Sequence, residues 1–198
     1  MKTKNIYLMA LASLVLGVAV FLFLNKDKFI YVGPIKIVEV DCGDKRSILD
    51  SVYRSDQRIR QANVPFAQYA KEDHRNQELV ISIIEKCGMP SLEEVSPKQM
   101  DAIWLALQHT DKKYRKKYFP LIEEAVNNGD LSKQKYALMK DRILMDDGQP
   151  QLYGSQLKNG KLYKLEAPEK VNERRKEMGM ESLEDYLKKF DIEYDKEE

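Results

Sequence analysis

Ile6 to Leu24 is a run of nineteen residues without a charge, IYLMALASLVLGVAVFLFL. At about 1.5 Å rise per residue such a run spans most of the ~30 Å hydrocarbon layer as one helix. The chain beyond Asn25 is then a water-facing domain on a membrane tether. The rival reading is a cleaved signal peptide, with Gly17 and Ala19 imitating its small-residue site. Cutting there would leave VFLFL as an exposed apolar stub. A lipoprotein would need a cysteine closing the run, and the first is Cys42. Residues 1–28 therefore read as an uncleaved transmembrane anchor with short flanks. Lys2 and Lys4 precede the run, and Lys26, Asp27 and Lys28 succeed it. That charge distribution favours a cytoplasmic start. The expected location is the inner (cytoplasmic) membrane, single-pass, with the soluble domain extracytoplasmic.

Beyond the anchor the chain is long enough for one domain with an adequate core. Charged residues make up 33% of the sequence, yet the net charge is +1. A dedicated nucleic-acid binder needs a positive surplus to neutralise phosphates, so that class is set aside. Cys42 and Cys87 could pair in an oxidising compartment. Sequence cannot place their Cα atoms within bridging distance, and we read them as unpaired thiols, Cys87 a small apolar helix residue.

Residues 29–43 are rich in β-branched and aromatic side chains and broken by Gly33-Pro34. They read as an extended tether or edge strand. From Asp44 the period becomes helical. Ile48, Val52 and Ile59 stripe a first helix over about 44–61, and Leu79, Val80, Ile83 and Ile84 a second over about 69–87. Gly88 stops it, with Pro90 two residues on. Ser96-Pro97 supplies a capping hydroxyl and an N1 proline for a third helix to about His109, apolar all round in AIWLAL and so central. A fourth spans about 111–127, with a kink or break expected at Pro120. A fifth spans about 132–145. QLYGSQL and KLYKLEA then flank Asn159-Gly160, a hairpin at about 151–165. Pro168 opens a short helix and Ser182 caps a last one to about Phe190. The acidic tail, 191–198, reads as disordered. The fold class is mainly α: a transmembrane helix, then a single helical domain (44–190) carrying a C-terminal β-hairpin.

Chemistry should lie where polar residues interrupt these stripes. Asp56 falls in the stripe of the first helix, and Asp73 and Asn76 extend that of the second. Asp141 lies on the side of Ala137, Leu138, Leu144 and Met145, with Arg142 beside it. Gln108, His109 and Asp111 close the buried third helix. A buried carboxylate must be paired, protonated or metal-bound, because a lone buried charge costs several kcal/mol or more. In one reading these groups satisfy one another and are structural. In the other they converge on a pocket between helices. Around Gly154, alternation sends Gln151, Tyr153 and Ser155 to one face of a strand and Leu152 and Gln156 to the other. With no paired His and no HExxH motif, no metal or other cofactor is expected.

QHTD at 108–111, DR at 141–142 and Q-x-Y-G-S-Q at 151–156 together resemble an uncharacterised bacterial family, domain-of-unknown-function family 6624. Asp56-Gln57 with Arg60, Asp73 with Asn76, Gly88-Met89-Pro90, Trp104, and Pro168 through Arg174-Arg175 and Gly179 fit the same pattern. The resemblance covers about Ile48 to Tyr186 and implies a shared fold rather than a reaction.

The expected function is a membrane-anchored binding or interaction domain whose pocket takes a small polar ligand or a protein partner. Its ligand-binding residues would be Gln108, Asp111, Arg142, Gln151, Tyr153 and Gln156, together with His109 and Asp141. Arg142 would grip a carboxylate or phosphate through its fork. A hydrolase-like alternative takes His109 as base and Asp141 as its orienting, catalytic partner. The basic run DKKYRKKYF at 111–119 reads as a solvated helix face, and His74, in KEDHRNQ, as an exposed helical histidine.

Overall fold

The computed structural model describes residues 32–61 and 64–194. The apolar run at 6–24 and the last four residues lie outside them. Among the described residues no helix is long and apolar enough to cross a membrane.

Those residues form seven α-helices and one short hairpin. A 3-10 turn, Cys42–Asp44, leads into α1 (Lys45–Gln61). Then come α2 (Phe66–Cys87), α3 (Pro97–Gln108), α4 (Lys112–Asn127) and α5 (Lys133–Asp146). Local chemistry sets the boundaries. Ser96 Oγ accepts from Gln99 N at 3.3 Å while Gln99 Oε1 accepts from Ser96 N at 2.9 Å, a closed capping box before Pro97. Asp111 Oδ1 accepts from Tyr114 N at 3.0 Å and opens α4. The helix runs unbroken through Pro120, where a kink or a break is expected. Buried Tyr118 and Ile122 on either side hold it to the core. That packing outweighs the one backbone donor the ring removes.

α3 is the central element. Met100, Ala102, Ile103 and Leu107 are fully buried between Leu49 and Val52 of α1, Val80, Ile81 and Ile83 of α2, and Ile122 of α4. Trp104 joins them and donates its indole N–H to Lys135 O at 3.0 Å, which ties α3 to α5. A smaller cluster of Val171, Leu183 and Leu187 holds α6 (Val171–Glu177) and α7 (Leu183–Lys188) against Leu157, Leu162 and Leu165.

The hairpin is shorter than the pattern suggests. β1 (Leu157–Lys158) pairs antiparallel with β2 (Lys161–Leu162), Leu157 opposite Leu162. Asn159 (φ 54°) and Gly160 (φ 72°) supply the positive dihedrals a two-residue turn needs. Residues 151–156 are not a strand with two faces. Gln151, Tyr153, Ser155 and Gln156 are all buried, because Gly154 at φ 67° turns the backbone into a loop.

The described part of the tether forms no strand. It runs parallel to α2: Lys36 N donates to Glu78 Oε1 at 3.1 Å and Val38 N to Ser82 Oγ at 2.8 Å. One extended residue advances about as far as two helical ones. The tether therefore carries Cys42 to the end of α2, where it meets Cys87 in a disulfide with Cα atoms 5.7 Å apart. This corrects the reading of two free thiols. The juxtaposition is a tertiary one, across 45 residues of sequence.

Candidate functional site

Two polar groupings emerge, and they take in most, not all, of the singled-out residues. The first gathers α1, α2 and the end of α3. Asp56, 2% exposed, accepts from Arg60 Nε at 3.0 Å and from Arg60 Nη2 at 2.6 Å. The same Nη2 lies 2.5 Å from His109 Nδ1 and 3.5 Å from Asp73 Oδ1. Nη1 of Arg60 donates to the Tyr69 hydroxyl at 2.6 Å. Gln77 donates to Asp73 Oδ2 at 3.2 Å and to the backbone carbonyl of His109 at 3.1 Å.

Protonation is set by these contacts. A guanidinium only donates, so His109 Nδ1 accepts and the ring proton sits on Nε2. Burial, then the charge of Arg60, pushes the imidazole down to about 4, so it is neutral at pH 7. Burial pushes the Asp73 carboxyl up to about 6 against the pull of Arg60. Its Oδ1 has no hydrogen-bond partner. One atom each from Asp56, Asp73 and His109 lie within 4.8 Å of one another, a spacing a metal could bridge. Arg60 already places a cationic nitrogen among them.

A cavity of about 320 Å³ opens beside this network. Val32, Pro34 and Ile35 of the tether and Phe66 make an apolar side; Tyr69, Asp73, His109 and Asp111 make the polar one. His74 also lines it, paired with Glu78 at 3.3 Å and only 13% exposed at its side chain, so it is not the exposed histidine the local charges suggest.

The second grouping lies at the hairpin end. Asp141, 0% exposed, accepts from Leu152 N at 2.7 Å, Tyr153 N at 3.1 Å, Ser155 N at 3.0 Å and Ser155 Oγ at 2.9 Å. Burial still holds its carboxyl above the usual range. Gln151 Nε2 donates to the carbonyls of Gln156 (3.0 Å) and Tyr163 (2.8 Å), and its Oε1 accepts from Gln156 N at 2.8 Å. Arg175, 1% exposed, donates to Tyr153 O and Glu181 O, each at 2.7 Å. These groups satisfy the backbone of a buried loop.

His109 and Asp111 therefore share the cavity with Asp73, whereas Asp141, Gln151 and Gln156 fasten the loop. His109 meets Asp56, at 3.7 Å, and none of Asp141's bonds goes to it. Tyr153 instead lines a separate groove with Tyr136 and Met178, its hydroxyl pushed up to about 12 by burial. Gln108 is buried with Oε1 unpartnered, and its carbonyl accepts from Arg115. Arg142 has a buried, unpartnered Nε and lowers the His109 pKa from a distance.

Tyr69, Gln77 and Phe66 escaped the sequence reading because a tyrosine, a glutamine and a phenylalanine at helix positions carry no distinctive pattern. Arg175 had a signal only in the Arg174-Arg175 pair of the family pattern. The basic run is neutralised locally: Lys112 and Lys116 pair with Asp147, Arg115 with Asp146 and Lys117 with Glu85.

Residues 46–197 match the model of DUF6624, a family of unknown function. No curated protein and no solved structure matches the chain.

Proposed function

The chain belongs to the DUF6624 family, and we propose that it is a membrane-anchored binding domain whose ligand is a small amphipathic molecule carrying an ammonium or similar N–H donor. The observation that carries the reading is the Asp73 carboxylate, half-buried at the cavity wall, whose Oδ1 accepts no hydrogen bond and has only the Arg60 guanidinium near it, at 3.5 Å. A positively charged ligand donor would supply the hydrogen bond that Arg60, at 3.5 Å, does not make. The His109 Nε2–H offers a donor to an acceptor on the same ligand, and Phe66, Pro34 and Ile35 offer an apolar surface to its body. Anchoring is supported by the charge-free run at 6–24. An extracytoplasmic domain is supported by the Cys42–Cys87 disulfide, a bond that persists in oxidising compartments. Binding is favoured over base catalysis by the contacts of His109: its Nδ1 is taken by the Arg60 guanidinium at 2.5 Å, with the Asp56 carboxylate farther off at 3.7 Å, and a base with pKa about 4 is weak at neutral pH.

The test is calorimetric titration of the full chain with n-butylammonium. Affinity should fall about tenfold from pH 7.5 to pH 5, as Asp73 protonates near its pKa of about 6. Asp73→Asn should abolish both the binding and its pH dependence. Equal affinity in wild type and D73N, or a flat pH profile, would overturn the reading. Anchoring is checked by alkaline carbonate extraction, and release of the chain from the membrane pellet would contradict it.

A further inference from the structure

A second cleft, of about 460 Å³, lies between α1 and α2 and has the opposite character. Its walls are two helical stripes. Ser51, Arg54, Ser55 and Arg58 come from α1, and Glu72, Arg75, Asn76 and Leu79 from α2, each set spaced i, i+3, i+4, i+7. Residues so spaced share one helix face, so two faces carrying arginine, serine and asparagine donors look at each other, with Glu72 and Leu79 among them. None of these residues lines the cavity beside His109.

The single carboxylate is already engaged. Glu72 accepts from Arg58, from Ser55 Oγ at 3.0 Å and from Gln68 Nε2 at 2.9 Å. Those bonds, that of Gln68 first, hold its carboxyl below the usual range. Arg54 and Arg75 have no carboxylate partner among the described residues. Asn76 is 4% exposed, and its Nδ2 is buried with no hydrogen-bond partner. A buried amide donor left unmatched is destabilising, and an acceptor in the cleft would satisfy it.

The geometry points to a site for a phosphate-bearing ligand, with Arg54 and Arg75 gripping the oxyanion from opposite helices and the Ser51 hydroxyl and Asn76 amide completing its donors. Guanidinium forks match a tetrahedral oxyanion through paired N–H groups, and hydroxyl and amide donors fill the remaining lone pairs. The phosphate could belong to a soluble ester or to a lipid headgroup, and the same donors would serve either.

The experiment is calorimetric titration of the full chain, solubilised in dodecyl maltoside micelles that carry no phosphate, with glycerol 3-phosphate at constant ionic strength. Saturable binding is expected. Arg54→Gln with Arg75→Gln should weaken it at least about tenfold, the loss expected for removing charge-assisted hydrogen bonds. Both arginines are exposed, so that variant should fold. Ser51→Asp, also at an exposed position, should weaken binding by placing a like charge at the rim. A second arm repeats the titration with phosphatidic acid added to the micelles. Weaker apparent binding there identifies the headgroup as an occupant; unchanged binding identifies a soluble ester. No saturable binding in the phosphate-free micelles, or equal affinity in R54Q/R75Q, overturns the proposal.

Discussion

Asp73 and His109 sit in one network and titrate in opposite senses. Burial raises the folded pKa of Asp73 to about 6 from 3.8, so the native state holds this proton more tightly than the unfolded chain. Its contribution to stability is therefore present below about pH 4 and lost as pH rises toward 6. Burial lowers His109 to about 4 from 6.5, so the unfolded chain binds its proton first. That contribution is present above pH 6.5 and lost as pH falls toward 4. In the wild type the two slopes offset each other between about pH 4 and pH 6. Asp73→Asn should uncover a stability that rises with pH across this window, and His109→Gln one that falls. Urea unfolding at about pH 4.5 and pH 6.5 reads both, and parallel profiles in the two variants would contradict the assignment. Much of this cluster was legible from pattern, because Asp56 and Asp73 interrupt apolar stripes and His109 closes one. Its wiring was not: nothing local says that Arg60 would face His109 from 49 residues away.

The 151–156 loop is held by one carboxylate and one glycine. A Cβ at Gly154 would lie 2.7 Å from Leu183 Cδ1, at φ 67°. Gly154→Ala should therefore cost about 2–4 kcal/mol, from combined backbone strain and overpacking. Asp141→Ala should cost about 3 kcal/mol or more, because three backbone N–H groups and a hydroxyl lose their acceptor. Chemical denaturation at neutral pH measures both, and a loss under about 1 kcal/mol in D141A would remove it as the loop's anchor. Alternation of polar and apolar residues here mimics a strand surface. The buried carboxylate instead recruits nearby amides that a sheet would have paired with another strand. Asn159-Gly160 carried its own geometry and was legible; the two short strands around it depend on Leu157 and Leu162 reaching the small core.

The molecule is a helical body, α1 to α5, with a small C-terminal lobe fastened through the bonds of Asp141 and Arg175 to the 151–156 loop. The extended segment before α1 lies along α2 and is closed onto it by the disulfide. Breaking Cys42–Cys87 frees a loop of about 45 residues, worth about 4 kcal/mol by loop-closure entropy. Reduction should lower the unfolding midpoint accordingly, read by denaturation with and without reductant; an unchanged midpoint would mean the bridge does not form in solution. Hydrogen exchange separates the two fastenings. Reduction should raise exchange at Val38 N, which loses its fixed approach to Ser82. D141A should raise it in α6 and α7 while α3 stays protected.

The amino-acid order alone determined the helices, their caps, the two-residue turn and the identity of the out-of-pattern polar residues. Those features are set within a few residues, by period, by hydroxyl and carboxylate caps and by backbone freedom at glycine. Tertiary packing decided which of those polar residues meet. It sent His109 to Asp56 and Arg60 and gave Asp141 to a backbone loop. It also brought Cys42 onto Cys87 and faced two arginine-bearing stripes across a cleft. Such pairings depend on the register and angle at which whole helices settle on α3, and that is a sum over the entire core that no local pattern contains.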